Sequence, residues 1–273
     1  MWMQVLQAAG LPVIGEAFPL NWKDTLGSLN RGGFYESTLR DGINFTSNPH
    51  PKSGVYLHPD ETRADVVKVF AEGVVHTEFA FLGRVLVTMR PWQAYTASMN
   101  RLWAVEDDVF ERTPKRRPPQ LHGALEWWRA NYGLIRDVAM RGYSVHFQSW
   151  PATLRAPSEV IPSVLGWLCD ALPEDAASLD IEAAVAVVDP KQSTCAEPPE
   201  VECDLPKSVT DVFDELYRAV DEGRGLPAEL VERMNAAHEQ VEPLFVEHAK
   251  AHGRWLQDHP DAGRSVLSLE PEA

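Results

Sequence analysis

Cysteine is scarce in this chain. It has three cysteines in 273 residues, at positions 169, 195 and 203, and none forms a C-x-x-C pair. An odd, sparse count argues against a disulfide framework and against a cysteine zinc site. No apolar run reaches the roughly 18 residues that a membrane span requires. Residues 1–7 lack the basic region and cleavage site of a signal peptide, so we expect a cytoplasmic protein.

Positive charge is also in short supply. The chain has 25 lysines and arginines against 40 aspartates and glutamates, a formal net charge of −15. Such a chain repels nucleic acid and anionic membranes, and we expect neither as a partner. A few local arginines and backbone N–H groups can still bind an anionic nucleotide. No pattern in the sequence specifies an oligomeric state.

Apolar segments of strand and helix type alternate along the chain. The predicted strands are residues 11–14, 66–70, 84–89 and 143–148, and the predicted helices between and beyond them are 1–9, 91–103, 121–141 and 158–172, the last one capped by Ser158. This alternation predicts an α/β fold with a parallel sheet flanked by helices. Two further helices, 208–222 and 227–256, predict a C-terminal helical extension. The predicted organisation is a domain over 1–190, a linker over 191–207, the extension over 208–257 and a flexible tail over 258–273.

The segment from 84 to 102 carries the most information about chemistry. A β-branched strand ends at Met89, Arg90 follows, and a helix begins at once. Ligands of open α/β sheets bind at the carboxyl ends of strands, and a guanidinium there can bind a phosphate. Ser98 lies eight residues on, about 80° round the helix and so on the same side. The same pattern also fits a surface arginine and an ordinary helix serine.

This segment resembles the 3′-phosphate-binding motif of sulfotransferases, in which an arginine ends a strand and a serine follows eight residues later. Five other stretches resemble bacterial sulfotransferase-family proteins in the same order. They are residues 1–13, the segment RGGFYE at 31–36, residues 66–70, residues 144–150 together with 158–168, and residues 187–190. The resemblance covers residues 1–190 loosely and implies a P-loop-type fold.

The resemblance also implies an activity. Sulfotransferases transfer a sulfuryl group from the co-substrate 3′-phosphoadenosine 5′-phosphosulfate to a hydroxyl or amine. Arg90 and Ser98 are then expected to hold the 3′-phosphate, with a small-molecule or glycan acceptor and no metal. The alternative is a catalytically inactive relative that acts as a binding or interaction module.

The catalytic base is harder to place. Many sulfotransferases carry a histidine directly after the lysine that matches Lys68, but here Val69 follows. Lys68 is expected to stabilise charge on the sulfuryl group, or else to be a lysine that extends from a strand to solvent. His76 and Glu36 are the nearest candidates for the base. Glu36 could equally pair with an arginine.

The family's phosphate-binding loop and the strand before it have no counterpart here, because the first helix begins at Met1. Three explanations stay open: a natural start further upstream, another segment that fills the gap, or a degenerate relative that binds no donor. We therefore expect sulfotransferase activity if the full-length protein carries this loop.

Three smaller patterns complete the set. His248 and His252 have the i, i+4 spacing that zinc sites use, but no third ligand is evident, so no metal is expected. Residues 115–117 form a basic run, either a gate over an anionic substrate or a solvated loop. At least one of Trp127 and Trp128 is expected to pack the long helix onto the sheet.

Overall fold

The computed structural model of the protein describes residues 1–19, 22–25, 27, 30, 32–112, 118–170, 178–189 and 200–260. The fold is mixed α/β and 55% helical, with small parallel sheets. None of the helices in these ranges is both long enough and apolar enough to cross a membrane.

Four strands and ten helices make up the described fold. The strands are β1 (Val13–Ile14), β2 (Val66–Val67), β3 (Arg84–Met89) and β4 (Ser144–Ser149). The helices are α1 (Trp2–Ala8), α2 (Trp22–Thr25), α3 (Ala71–Val75), α4 (Trp92–Arg112), α5 (Gly123–Arg141), α6 (Trp150–Arg155), α7 (Pro157–Cys169), α8 (Ile181–Ala186), α9 (Lys207–Asp221) and α10 (Ala228–Asp258). A 3₁₀ turn spans Phe79–Phe81.

The chain divides into two compact units. The sheet unit consists of Met1–Thr88 and Gly133–Ser193, and the helical unit consists of Met89–Tyr132 and the residues from Thr194 onward. In the predicted linker and tail, residues 191–199 and 261–273 lie outside the described part of the chain. The predicted domain boundary at 190 falls there too and stays a prediction.

The strands form two separate pairs, whereas the sequence predicts one sheet. β1 and β2 are parallel, with Val13 opposite Val66 and Ile14 opposite Val67. β2 stops two residues in, although the apolar pattern predicts a strand through Phe70. The reason is that the Phe70 N–H bonds the carbonyl of Arg40, at 2.8 Å, and the chain then enters α3. β3 pairs with β4 in the second sheet and has its predicted bounds.

The core of the sheet unit forms around α1. All four residues of its predicted inner face are buried: Trp2, Val5, Leu6 and Ala9. They pack with buried residues of α7 and α8 in one cluster, and each large side chain contributes about 1.5–3 kcal/mol on burial. Ser158 does not cap α7 as predicted. The helix begins one residue earlier at Pro157, a residue type that favours the first turn.

The helical unit is held by aromatic rings. Phe213 of α9 is fully buried and stacks on Trp128 of α5 with ring centroids 4.6 Å apart. Trp127 also contacts Phe213, at 5.7 Å. The tryptophan pair therefore packs against a helix of the same unit, and the expectation that at least one of the pair packs onto the sheet stays a prediction. An apolar helix face shows that a partner exists but does not show whether the partner is a sheet or a helix.

Candidate functional site

The carboxyl ends of β1 and β2 meet at one edge of the first sheet, because the two strands are parallel and in register. Glu16 follows β1 after one glycine, and Lys68 follows β2 directly. This is the edge at which open α/β folds bind ligands. The sheet thus places the predicted lysine where an anionic group is expected to bind.

Glu36 is brought to the same edge by a backbone bridge. Its N–H and C=O exchange two hydrogen bonds of 3.0 Å with Glu16. Gly15 makes the close approach possible, since it has φ 124° and a Cβ there would lie 2.9 Å from the Tyr35 carbonyl oxygen. A glycine is therefore required immediately after β1.

Tyr35 precedes Glu36 in an uncommon backbone conformation, with φ 55°. Such residues cost about 1–3 kcal/mol and persist only when their surroundings enforce them. Here the Tyr35 hydroxyl donates to Gln7 Oε1 at 3.1 Å, and the Phe34 N–H donates to the Ala17 carbonyl at 2.6 Å. These contacts fix the direction in which the Glu36 side chain leaves the backbone.

Two cations face the Glu36 carboxylate, whose side chain is only 3% exposed. Lys68 Nζ donates to Glu36 Oε1 and also to the Phe34 carbonyl, the latter at 2.9 Å. Arg40 Nη1 lies 3.6 Å from Glu36 Oε2, while its Nε lies 3.5 Å from the exposed carboxylate of Asp41. Lys68 and Glu36, predicted separately, are therefore in direct contact. Glu36 also forms an ion pair with Arg40, as the alternative of an arginine partner predicts.

Arg40 was missed by the sequence reasoning. Arg40 lies four residues after Glu36, a spacing that brings two side chains into contact only where the backbone turns like a helix. Residues 38–41 do form turns. Both cations also lie over the exposed ring of Phe70, with Lys68 Nζ 5.4 Å and the Arg40 guanidinium carbon 5.9 Å from its centroid.

One oxygen of this carboxylate is chemically distinct. Glu36 Oε2 is buried and accepts no hydrogen bond, although Arg40 is nearby. A lysine ammonium has three N–H groups, and two of those on Lys68 are used by Glu36 and Phe34. The arrangement therefore offers a carboxylate oxygen that can accept a proton and an N–H that can bond an anionic oxygen.

His76, the other candidate base, lies elsewhere in the sheet unit. It caps the end of α3, its side chain is exposed, and its carbonyl accepts from Asn44 Nδ2 at 3.4 Å. The structure shows no bond from its imidazole to Lys68 or Glu36. It is therefore the weaker of the two candidates.

Arg90 and Ser98 belong to the helical unit. Arg90 follows β3 and Ser98 lies in α4, so the predicted strand–arginine–helix order is present. Both side chains are half-buried. The Arg90 carbonyl accepts from Trp127 Nε1 at 2.9 Å, which anchors the junction to α5.

A depression beside this junction has an acidic lining. Pro91, Gln93, Asp214 and Asp221 are among the residues that line it. Asp214 Oδ1 accepts from Trp92 Nε1 at 2.8 Å and from Gln93 Nε2 at 3.1 Å. Arg218 also lines the depression, but the two carboxylates outnumber its one positive charge, so we assign no phosphate there.

The remaining charged patterns give weaker candidates for a functional site. Within the described ranges, no group of three or more histidine, cysteine, aspartate or glutamate side chains could hold a metal ion. The basic run at 115–117 lies outside those ranges. A buried cluster around Asp137 is structural: its carboxylate accepts from Tyr143 at 2.9 Å and from Arg141 at 3.2 Å. Burial and the bond to Asp137 raise the pKa of the Tyr143 hydroxyl.

Comparison with known proteins identifies no relative: no family model, no curated protein and no solved structure matches the chain.

Proposed function

We propose that the chain is a sulfotransferase-like protein with a P-loop-type fold. In this proposal it transfers a sulfuryl group from 3′-phosphoadenosine 5′-phosphosulfate to a hydroxyl or amine of a small molecule or glycan. The low cysteine count favours the cytoplasm as its location. The observation that carries the proposal is the contact between Lys68 and Glu36 at the carboxyl edge of β1 and β2.

The chemistry assigned to this pair is an in-line displacement. The acceptor oxygen or nitrogen forms a bond to sulfur as the bond from sulfur to the bridging phosphate oxygen breaks. The acceptor proton passes to Glu36 Oε2, the oxygen without a hydrogen bond. The third N–H of Lys68 bonds a sulfuryl oxygen and stabilises the charge that develops on it. Adenosine 3′,5′-bisphosphate leaves.

Arg90 and Ser98 are assigned to the 3′-phosphate of the donor. A guanidinium at the end of a strand, followed by a helix, supplies several donors in a fixed plane. Their positions at the end of β3 and within α4 are consistent with this role.

Calorimetry with adenosine 3′,5′-bisphosphate tests the proposal. We expect Arg90→Ala to weaken binding about 30- to 150-fold, or roughly 2–3 kcal/mol, because a set of charge-assisted hydrogen bonds is lost. Arg136→Ala, which removes an exposed arginine of α5, is the matched control and should bind like the parent. Equal affinities of the Arg90 variant and the parent protein, or no binding to the parent at millimolar nucleotide, would overturn the proposal.

One observation favours a second candidate, the catalytically inactive binding module. Lys68 and Arg40 already balance the charge of Glu36 without a ligand, as in a purely structural ion-pair cluster. Labelled phosphosulfate donor, offered with a panel of phenols, alcohols, amines and glycans, separates the two. Transfer that Glu36→Gln abolishes supports the enzyme. Nucleotide binding without transfer to any acceptor favours the module.

A further inference from the structure

Two histidines lie one turn apart on the last helix of the helical unit. His248 and His252 are both half-buried on α10, and their ring centroids are 6.3 Å apart. Residues four apart on a helix lie on the same face, about 5–6 Å apart at Cβ. Both imidazoles can therefore reach one point beside the helix.

The surroundings of His248 disfavour its protonated form. Burial lowers its pKa, and the positive charge of Arg129 and the neighbouring His252 lower it further. A neutral imidazole offers the nitrogen lone pair that a metal ion needs, with no proton to displace. The charge on Arg129 also repels a cation, so the affinity is reduced relative to a fully exposed pair.

The rings need only a small adjustment to share an ion. Imidazole nitrogens bind zinc at about 2.0–2.1 Å, so a tetrahedral ion holds two ring centroids roughly 5 Å apart. The observed separation of 6.3 Å exceeds this by about 1 Å. A change of side-chain torsion within one rotamer well covers that distance.

No third protein ligand lies beside the pair in the described part of the chain. His259, the residue that follows α10, stacks on Trp255 at 4.7 Å, and its Nδ1 bonds the Trp255 carbonyl at 2.9 Å. It is held by these contacts. Water must therefore fill the remaining coordination positions.

We propose that His248 and His252 form a two-histidine chelate for one late first-row divalent ion, Cu²⁺, Ni²⁺ or Zn²⁺. Imidazole suits these ions, and among divalent ions affinity rises toward Cu²⁺. The bound ion links two successive turns of α10. It binds the folded helical unit in preference to the unfolded chain, so it stabilises that unit by mass action.

Titration calorimetry of the full chain with NiCl₂ in chelator-free buffer tests this. We expect one ion per chain. His248→Gln and His252→Gln should each weaken binding about tenfold or more, because each removes one arm of a chelate. His58→Gln removes an exposed histidine of the sheet unit with no histidine four residues away, and should leave the affinity unchanged.

The proposal is overturned if the parent protein binds no Ni²⁺ below about 1 mM, a range in which single imidazoles already bind weakly. It is also overturned if only one of the two glutamine variants weakens binding. Should a variant fail to fold, zinc titration of the parent protein followed by imidazole NMR gives the answer. Resonances of both His248 and His252 should shift together at one equivalent, and a shift confined to any other histidine contradicts the site.

Discussion

Replacement of Lys68 by methionine isolates the energetics of the candidate site. The change keeps a long, unbranched side chain, one heavy atom shorter, and removes its charge. Glu36, with a side chain 3% exposed, then keeps Arg40 at 3.6 Å as its remaining cation. Removing one partner of a fully buried ion pair costs about 3–5 kcal/mol. Lys68 is 30% exposed, so solvent screens part of that loss, and we expect about 2–3 kcal/mol.

The double variant Lys68→Met, Glu36→Gln separates the ion pair from the loss of packing. It leaves no buried carboxylate at this position, and Arg40 keeps the exposed carboxylate of Asp41 nearby. We therefore expect it to be less destabilised than the sum of the two single variants, with a coupling energy of about 1.5–2 kcal/mol. The matched control is Arg63→Met, which breaks an exposed ion pair with Asp60 in the same unit. That pair should contribute less than about 0.5 kcal/mol.

Native-state hydrogen exchange reports on the sheet unit alone. The amides of Glu36 and Val66 bond the carbonyls of Glu16 and Pro12, and they should exchange through the opening of this unit. A coupling energy below about 0.5 kcal/mol would show that the pair is not energetically linked. The assignment of Lys68 and Glu36 to one site would then lose its physical basis.

Three further variants probe the two units. Phe213→Ala should cost the helical unit about 3–5 kcal/mol, measured by calorimetry, because a fully buried ring leaves a cavity between α9 and α5. Gly15→Ala should lower the melting temperature more than Gly10→Ala. Both glycines have positive φ, but only at Gly15 does the new methyl collide with a carbonyl, that of Tyr35 at 2.9 Å. Folding lowers the pKa of His248. As the pH falls below the ordinary histidine pKa, the unfolded chain therefore binds more protons than the folded chain. The helical unit should therefore lose stability on acidification from pH 7.5 to 5.5, and His248→Gln should reduce that loss in urea titrations.

The elements that the sequence predicts well are those with a strong local period and a clear stop. β3 is a run rich in β-branched residues, and its bounds are the predicted ones. α5 ends as expected just before Gly142, which has φ 70° and whose N–H bonds the Val138 carbonyl. α9 and α10 follow their apolar stripes. In each case local preference and packing agree.

The parts that could not be predicted depend on long-range backbone contacts. The sequence singles out Lys68 and Glu36 one by one, but they are 32 residues apart. Their contact depends on the bridge between Glu16 and Glu36 and on the left-handed conformation of Tyr35. Neither has a periodic signature. The same holds for residues 68–70, where a hydrogen bond to the Arg40 carbonyl replaces strand pairing.

The packing of α1 also affects the order of events during synthesis. The inner face of this helix is completed by residues of α7 and α8, and the Ala9 carbonyl bonds the N–H of Asp180, about 170 residues later in the chain. At the usual pace of 5–20 residues per second, the ribosome needs roughly 10–30 s to deliver that partner. Throughout this interval the nascent chain displays Trp2, Val5 and Leu6 without their cover. The last part of the sheet unit supplies the cover for this apolar face.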